Sequence, residues 1–216
     1  VKRLEVGDVV GLRNGRGLVA EAIIAAITKS KRGDWEVQVT VGRSAVAERA
    51  KPSIHVFTSP PKGEHLETMI DGLSQVGVTS WTPLRTQRTI VDPRPGKIER
   101  LARVCEESLK QCGRAWLLEI GATTDFAIVL AQESNKGIVI VADQSGTPWI
   151  DCGINASTVS FTHSLEVLVG PEGGWSEAEL AMARDAKAVI ASFGPHAMRI
   201  ETASVVAAAS VAMGTR

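Results

Sequence analysis

Leu168-Val-Gly-Pro-Glu-Gly-Gly-Trp-Ser-Glu-Ala-Glu-Leu180 decides how this chain is read. The apolar run Leu165–Val169 has the character of a buried strand, and it stops at Gly170-Pro171. Gly173 and Gly174 follow the acidic Glu172. Ser176 then stands three residues before Glu179, the spacing of a helix capping box. Strand, glycine turn and capped helix in this order place bare main chain at the end of a sheet, where α/β folds bind small ligands. The segment has neither the glycine pattern of a dinucleotide site nor that of a phosphate loop. Glu172 would repel a phosphate, so a neutral or cationic ligand read by main-chain hydrogen bonds fits better. An ordinary strand-to-helix turn accounts for the local pattern equally well.

Outward from this segment the chain alternates strand and helix from Ser53 onward. Expected strands are Ile54–Thr58, Val78–Leu84, Gly137–Ala142, Leu165–Val169 and Ala188–Phe193. Expected helices are Glu64–Val76, ended by Gly77, then Lys97–Cys112, Asp125–Glu133 and an alanine-rich helix from about Glu201. Such alternation predicts an α/β fold with a mainly parallel sheet covered on both faces. Residues 1–52 read differently. Short strands around Val6–Leu12, Leu18–Thr28 and Trp35–Val41, with turns at Asn14-Gly15 and Lys31–Asp34, predict a small β-barrel domain ahead of the α/β domain of residues 53–216.

Composition excludes several classes. The 216 residues are 44% hydrophobic and 22% charged, as in globular proteins, and no apolar stretch is long enough to span a membrane. Val1-Lys-Arg-Leu-Glu is not a signal peptide, and without a start methionine the sequence is expected to begin after the natural N-terminus. Cys105, Cys112 and Cys152 lack metal spacing and read as reduced thiols of a cytoplasmic protein, the first two buried on one helix face. His55, His65, His163 and His196 are likewise scattered, so no metal is expected. Net charge is zero, yet residues 1–52 carry ten basic and six acidic side chains, and residues 85–114 eight and four. Two basic regions suit local contact with a polyanion, although solvated faces explain them equally well.

A second constellation, Phe193-Gly-Pro-His-Ala-Met-Arg-Ile-Glu-Thr-Ala203, repeats the strand, Gly-Pro turn and helix design. Parallel strands would bring both glycine loops to one sheet edge, with Arg199 and Glu201 the nearest charges. A structural salt bridge and a helix cap explain those residues as readily.

Together the two constellations resemble the paired C-terminal motifs of the SPOUT-class RNA methyltransferases, and more closely the bacterial enzymes that methylate N3 of a uridine in 16S ribosomal RNA. Pro61-Lys-Gly-Glu64, Gly77-Val78 leading to Pro83-Leu84, and Gln111-Cys-Gly-Arg114 agree with that resemblance. The chain departs from the family pattern at Gln75-Val76, His196 and Ile200. The resemblance implies a trefoil knot, a PUA-like N-terminal RNA-binding barrel, a homodimer, and S-adenosylmethionine as cofactor. It places the cofactor against Ala142, Val169, Gly170, Glu172, Gly174, Phe193, Gly194 and Met198. Arg199 is then expected to stabilise the uridine anion. Glu201 would orient an arginine or accept a proton. Arg13, Arg16, Lys62, Arg85 and Arg88 would contact RNA phosphate, and Arg114 phosphate or base. The partner implied is 16S ribosomal RNA or the small ribosomal subunit. A methyltransferase of another RNA position and a catalytically silent RNA-binding assembly factor are the alternatives.

Overall fold

A computed structural model describes residues 4–31, 33–90, 95–133, 137–159 and 164–215. Val1, Arg32 and His163, all used in the sequence reading, lie outside them. The chain divides into two compact units, one of Val1–Arg49 with Leu109–Leu117, the other of Ala50–Ser108 with Leu118–Arg216.

In the first unit β1 (Val9–Arg13), β2 (Leu18–Lys29) and β3 (Trp35–Val46) form an antiparallel sheet in that order. The β1–β2 turn is closed by the Asn14 side chain, whose Oδ1 accepts from the Arg16 and Leu18 amides at 2.8 and 3.0 Å. That bonding is the reason asparagine suits a turn. Residues 109–117 complete the unit through main chain. Gly17 donates to the Ala115 carbonyl, Leu117 donates to that of Gly15, and the Trp116 indole donates to Ala47 O at 2.9 Å. The Arg49 guanidinium lies 4.4 Å from the Trp116 ring centroid.

The second unit carries β4 (Ser53–Thr58), α1 (His65–Gln75), β5 (Ser80–Arg85), most of α2 (Pro95–Cys112), β6 (Glu119–Ile120), β7 (Thr124–Asp125), α3 (Phe126–Glu133), β8 (Gly137–Pro148), β9 (Ser164–Val169), α4 (Glu177–Asp185), β10 (Val189–Ser192) and α5 (Ile200–Gly214). Among the described residues its seven strands are all parallel, in the order β10-β8-β9-β4-β5-β6, with β7 also paired to β5. The sheet is covered on both faces at its centre, which is why Ile138–Val141 of β8 and Val167–Val169 of β9 read as apolar runs. On one face Trp81 of β5 donates its indole N–H to Thr58 of β4 at 2.9 Å, and the Thr58 hydroxyl meets Met69 of α1. On the other, Leu84, Val139, Val141 and Leu168 pack with Phe126, Val129 and Leu130 of α3 and Leu180 and Ala183 of α4.

Two readings are corrected. The strand expected to end at Ala142 continues to Pro148, because after a register shift Thr147 and Pro148 still pair with Ala191 and Ser192 of β10. Cys112 is exposed, although Cys105 is buried as expected. The buried stripe of α2 runs through Leu101, Cys105 and Leu109, and Cys112 is the last residue of the helix, beyond that packing.

Candidate functional site

Parallel strands end on the same edge, and β9 returns to lie between β8 and β4 before β10 is added outside β8. The turns after β9 and β10 therefore meet Ala142 of β8 around one cavity of about 270 Å³. All eight residues singled out from sequence line it: Ala142, Val169, Gly170, Glu172, Gly174, Phe193, Gly194 and Met198. Asp143, Gln144, Trp175, Ser192, Ile200 and Ala203 complete much of the wall and were not expected there. Asp143 immediately follows Ala142, and Trp175 lies inside the opening motif, so chain proximity was the signal that could have found them.

Trp175 holds the glycine turn in shape. Its indole N–H donates to Ala142 O at 2.9 Å, and its ring packs against Phe126 with centroids 4.8 Å apart. A Cβ on Gly170 would stand 2.9 Å from that ring, so residue 170 must lack one. Gly174 has φ +68°, the left-handed region that side chains disfavour. On the opposite wall the Phe193 ring stacks on Trp149 at 5.5 Å, and the Trp149 indole donates to Ser210 O of α5.

The helix after the turn starts as the sequence predicts. Ser176 Oγ accepts from the Glu179 amide at 3.2 Å, and Glu179 Oε2 accepts from the Ser176 amide at 2.8 Å. Glu179 is 4% exposed and has a further partner, since its Oε1 accepts from the Gln87 amide at 2.8 Å. A buried carboxylate needs such donors, and here the second comes from the loop after β5.

The charged residues named from sequence separate into groups. Arg199 is the N-cap residue of α5. Its side chain is exposed and makes no hydrogen bond or ion pair among the described residues. Glu201, in the first turn of α5, is turned to His65 of α1, with Oε1 3.2 Å from Nδ1. Lys62 and Arg88 line a narrow cleft that shares Pro171, Glu172 and Ile200 with the main cavity. Arg88 is engaged there, its Nη1 donating to Gly173 O at 2.6 Å and Trp175 O at 3.3 Å. Arg85 pairs with Asp125 at 3.3 Å. In the first unit Arg13 and Arg16 are exposed and Arg114 is half-buried. No group of three or more His, Cys, Asp or Glu side chains able to hold a metal occurs among the described residues. No helix among them is long and apolar enough to cross a membrane.

A parallel α/β sheet with a ligand-sized cavity walled by main chain from three strand ends defines a small-molecule-binding domain of the kind that reads its ligand at the carboxyl edge. The chain belongs to the RNA methyltransferase domain family, whose pattern matches residues 48–212. It is 28% identical to the ribosomal RNA small subunit methyltransferase E of Synechocystis over 70% of its own length, and spans 50% of that protein. It is 24% identical to the protein of the same name in Bacillus subtilis over its full length, spanning 85% of that protein. The crystal structure of ribosomal RNA small subunit methyltransferase E from Neisseria gonorrhoeae bound to S-adenosyl methionine shares the fold, with a TM-score of 0.80 at 20% identity. The match covers 97% of this chain and 84% of that one.

Proposed function

We propose that the chain transfers a methyl group from S-adenosylmethionine to N3 of a uridine in 16S ribosomal RNA. The observation that carries this is the convergence of Ala142, the Val169–Gly174 turn and the Phe193–Met198 turn on one cavity in a member of an RNA methyltransferase family. The residues present fit the cofactor. Val169, Met198, Ile200 and Ala203 give an apolar wall for an adenine. The tight approach at Gly170 and the left-handed Gly174 keep main chain within reach of polar edges. The exposed Glu172 suits a cationic ligand, as a phosphate would not.

S-adenosylmethionine, when bound, supplies a methyl group on a sulfonium. The protein's own work is to expose and orient the acceptor and to favour loss of its N3 proton to solvent water. N3 of uridine is occupied in a base pair, so the base must be single-stranded or flipped out. We place the acceptor in the cleft beside the cavity, because the two share Pro171, Glu172 and Ile200. Loss of the N3 proton leaves an anion spread over the uracil carbonyl oxygens, and a guanidinium there stabilises it. Arg199 adjoins Ile200 and has its charge free among the described residues, so it takes this role. Lys62, on the cleft, meets phosphate or a uracil carbonyl. The Glu201–His65 contact ties the first turn of α5 to α1 and so fixes the backbone from which Arg199 projects.

The wider reading follows the same resemblance. Arg13, Arg16, Arg85 and Arg114 add RNA contacts, and residues 1–52 serve as a PUA-like RNA-binding module. The insertion of β9 between β8 and β4 supports a trefoil knot in the domain of residues 53–216. A homodimer working on the small subunit in the cytoplasm completes the proposal.

The test combines calorimetry with S-adenosylmethionine and mass mapping of 16S ribosomal RNA from a deletion strain. Micromolar binding and loss of one methyl at uridine N3 are expected. Arg199→Ala should lower kcat by about 10²–10³-fold, the magnitude of losing one anion-stabilising donor, while cofactor affinity stays within about twofold. A missing methyl at any other nucleoside would redirect the assignment. No cofactor binding at all would favour a silent RNA-binding protein.

A further inference from the structure

The loop after β5 is fastened twice to the glycine turn that walls the cavity. Gln87 donates its amide to Glu179 Oε1 at 2.8 Å, on the helix side of the turn. Arg88, the next residue, donates from Nη1 to Gly173 O at 2.6 Å and Trp175 O at 3.3 Å, on the turn itself. These bonds flank Trp175-Ser176, where the chain passes from turn to helix. The loop is anchored at its own base by hydroxyls. Thr89 Oγ1 accepts from the Thr86 amide at 2.8 Å and lies 2.9 Å from Ser59 Oγ at the end of β4. Arg88 therefore projects from a fixed support.

We propose that Arg88 is a positioning residue for the cofactor site. It does not act as the RNA-phosphate contact that its charge suggests. This role rests on the proposed use of the cavity for S-adenosylmethionine. A guanidinium presents several donors in a rigid fork, and a charged donor to a carbonyl makes a stronger bond than a neutral one. Spanning two carbonyls of one turn, it fixes the direction in which the peptides around Gly173 and Gly174 face. That direction decides which main-chain groups meet a ligand. It also holds the Trp175 backbone while the indole is held by Ala142 O at 2.9 Å, so the tryptophan that supports Gly170 is fixed at both ends. Nη1 is thereby committed to the turn, and any phosphate contact would fall to Nη2 and Nε alone.

The experiment measures cofactor affinity by calorimetry, RNA affinity across a salt series without cofactor, and amide hydrogen exchange of residues 172–176 in the cofactor-free protein. Full-length wild type, Arg88→Ala and Arg88→Lys are compared. Arg88→Ala is expected to weaken S-adenosylmethionine at least tenfold and to speed exchange at 172–176, with the salt slope of RNA binding unchanged. KM for the cofactor should rise at least tenfold with kcat within threefold, whereas a simple loss of folded protein would lower kcat and leave KM alone. Arg88→Lys, which still donates to one carbonyl, should recover part of the affinity. The proposal is overturned if Arg88→Ala binds cofactor as wild type does, and equally if the salt slope falls by about 0.7, the signature of one lost phosphate contact to single-stranded RNA. If wild type itself binds no S-adenosylmethionine, the functional reading fails first. The exchange data alone then decide whether Arg88 orders the turn.

Discussion

Glycines 170 and 174 lie in one turn but answer different demands. At 174 the constraint is the backbone, since φ is +68° and an added Cβ would meet nothing within 4 Å. Gly174→Ala should therefore cost about 1–2 kcal/mol, the usual penalty of left-handed backbone for a residue with a Cβ. At 170 the constraint is space, because the Cβ would stand 2.9 Å from the Trp175 ring. That ring cannot step aside without giving up its bond to Ala142 O at 2.9 Å and its packing on Phe126. Gly170→Ala should cost about 1–3 kcal/mol, as overpacking does, and should shift the tryptophan fluorescence, which Gly174→Ala should leave near wild type. Denaturant unfolding with a fluorescence readout checks both. Equal spectral shifts in the two variants would mean that Trp175 does not hold the turn.

Elements show what sequence reading can and cannot reach. β4 alternates buried and half-buried residues, β9 is buried from Leu165 to Val169 because both sheet faces are covered there, and α1 carries a regular stripe, so these patterns are visible in the residues. The extension of β8 through Asp143–Pro148 was not visible, because polar residues, Gly146 and Pro148 look like a loop. Only the paired edge of β10 makes it a strand. The cavity wall was legible because Gly-Pro turns at strand ends mark where parallel strands expose main chain. The fastening by Arg88 was not, since its partner is a carbonyl 85 residues away, and a carbonyl carries no sequence signature. The join between α1 and α2 was equally hidden, and it titrates. Lys97 and Arg100 of α2 reach Glu67 of α1 at 2.5 and 2.8 Å, and the Lys97 hydrogen bond above all holds the Glu67 carboxyl below its ordinary value. An acid whose folded pKa is depressed stabilises the fold above its unfolded pKa, and the gain disappears as pH falls through the folded value. Glu67→Gln should thus lower stability by about 0.5–1 kcal/mol at neutral pH, with the difference shrinking below about pH 4. Paired melting curves at pH 7 and pH 3 test the sign. A gap that widens in acid would contradict it.

At the scale of the whole molecule, zero net charge makes the salt dependence of RNA binding an informative quantity. A uniformly basic protein would bind any polyanion, and its slope would say little about particular residues. Here general attraction is absent, so each phosphate contact should show as a countable increment in the slope of log K against log salt, about 0.7 for each contact to single-stranded RNA. On the proposed reading the phosphate contacts are Arg13 and Arg16 in the first unit, both exposed near the β1–β2 turn, and Lys62 in the second. Arg13→Gln with Arg16→Gln should reduce the slope by about 1.4 and weaken binding of all RNA sequences alike, leaving cofactor affinity at the wild-type value. Lys62→Gln should reduce it by about 0.7 if the lysine meets phosphate. If the lysine meets a uracil carbonyl instead, the slope should hold while kcat falls. Arg85 is already paired with Asp125, so Arg85→Gln should change the slope least among the exposed basic residues of the RNA surface. Filter binding from 50 to 300 mM salt resolves these increments. A double variant in the first unit with an unchanged slope would remove that unit from the RNA surface and leave recognition to the α/β unit alone.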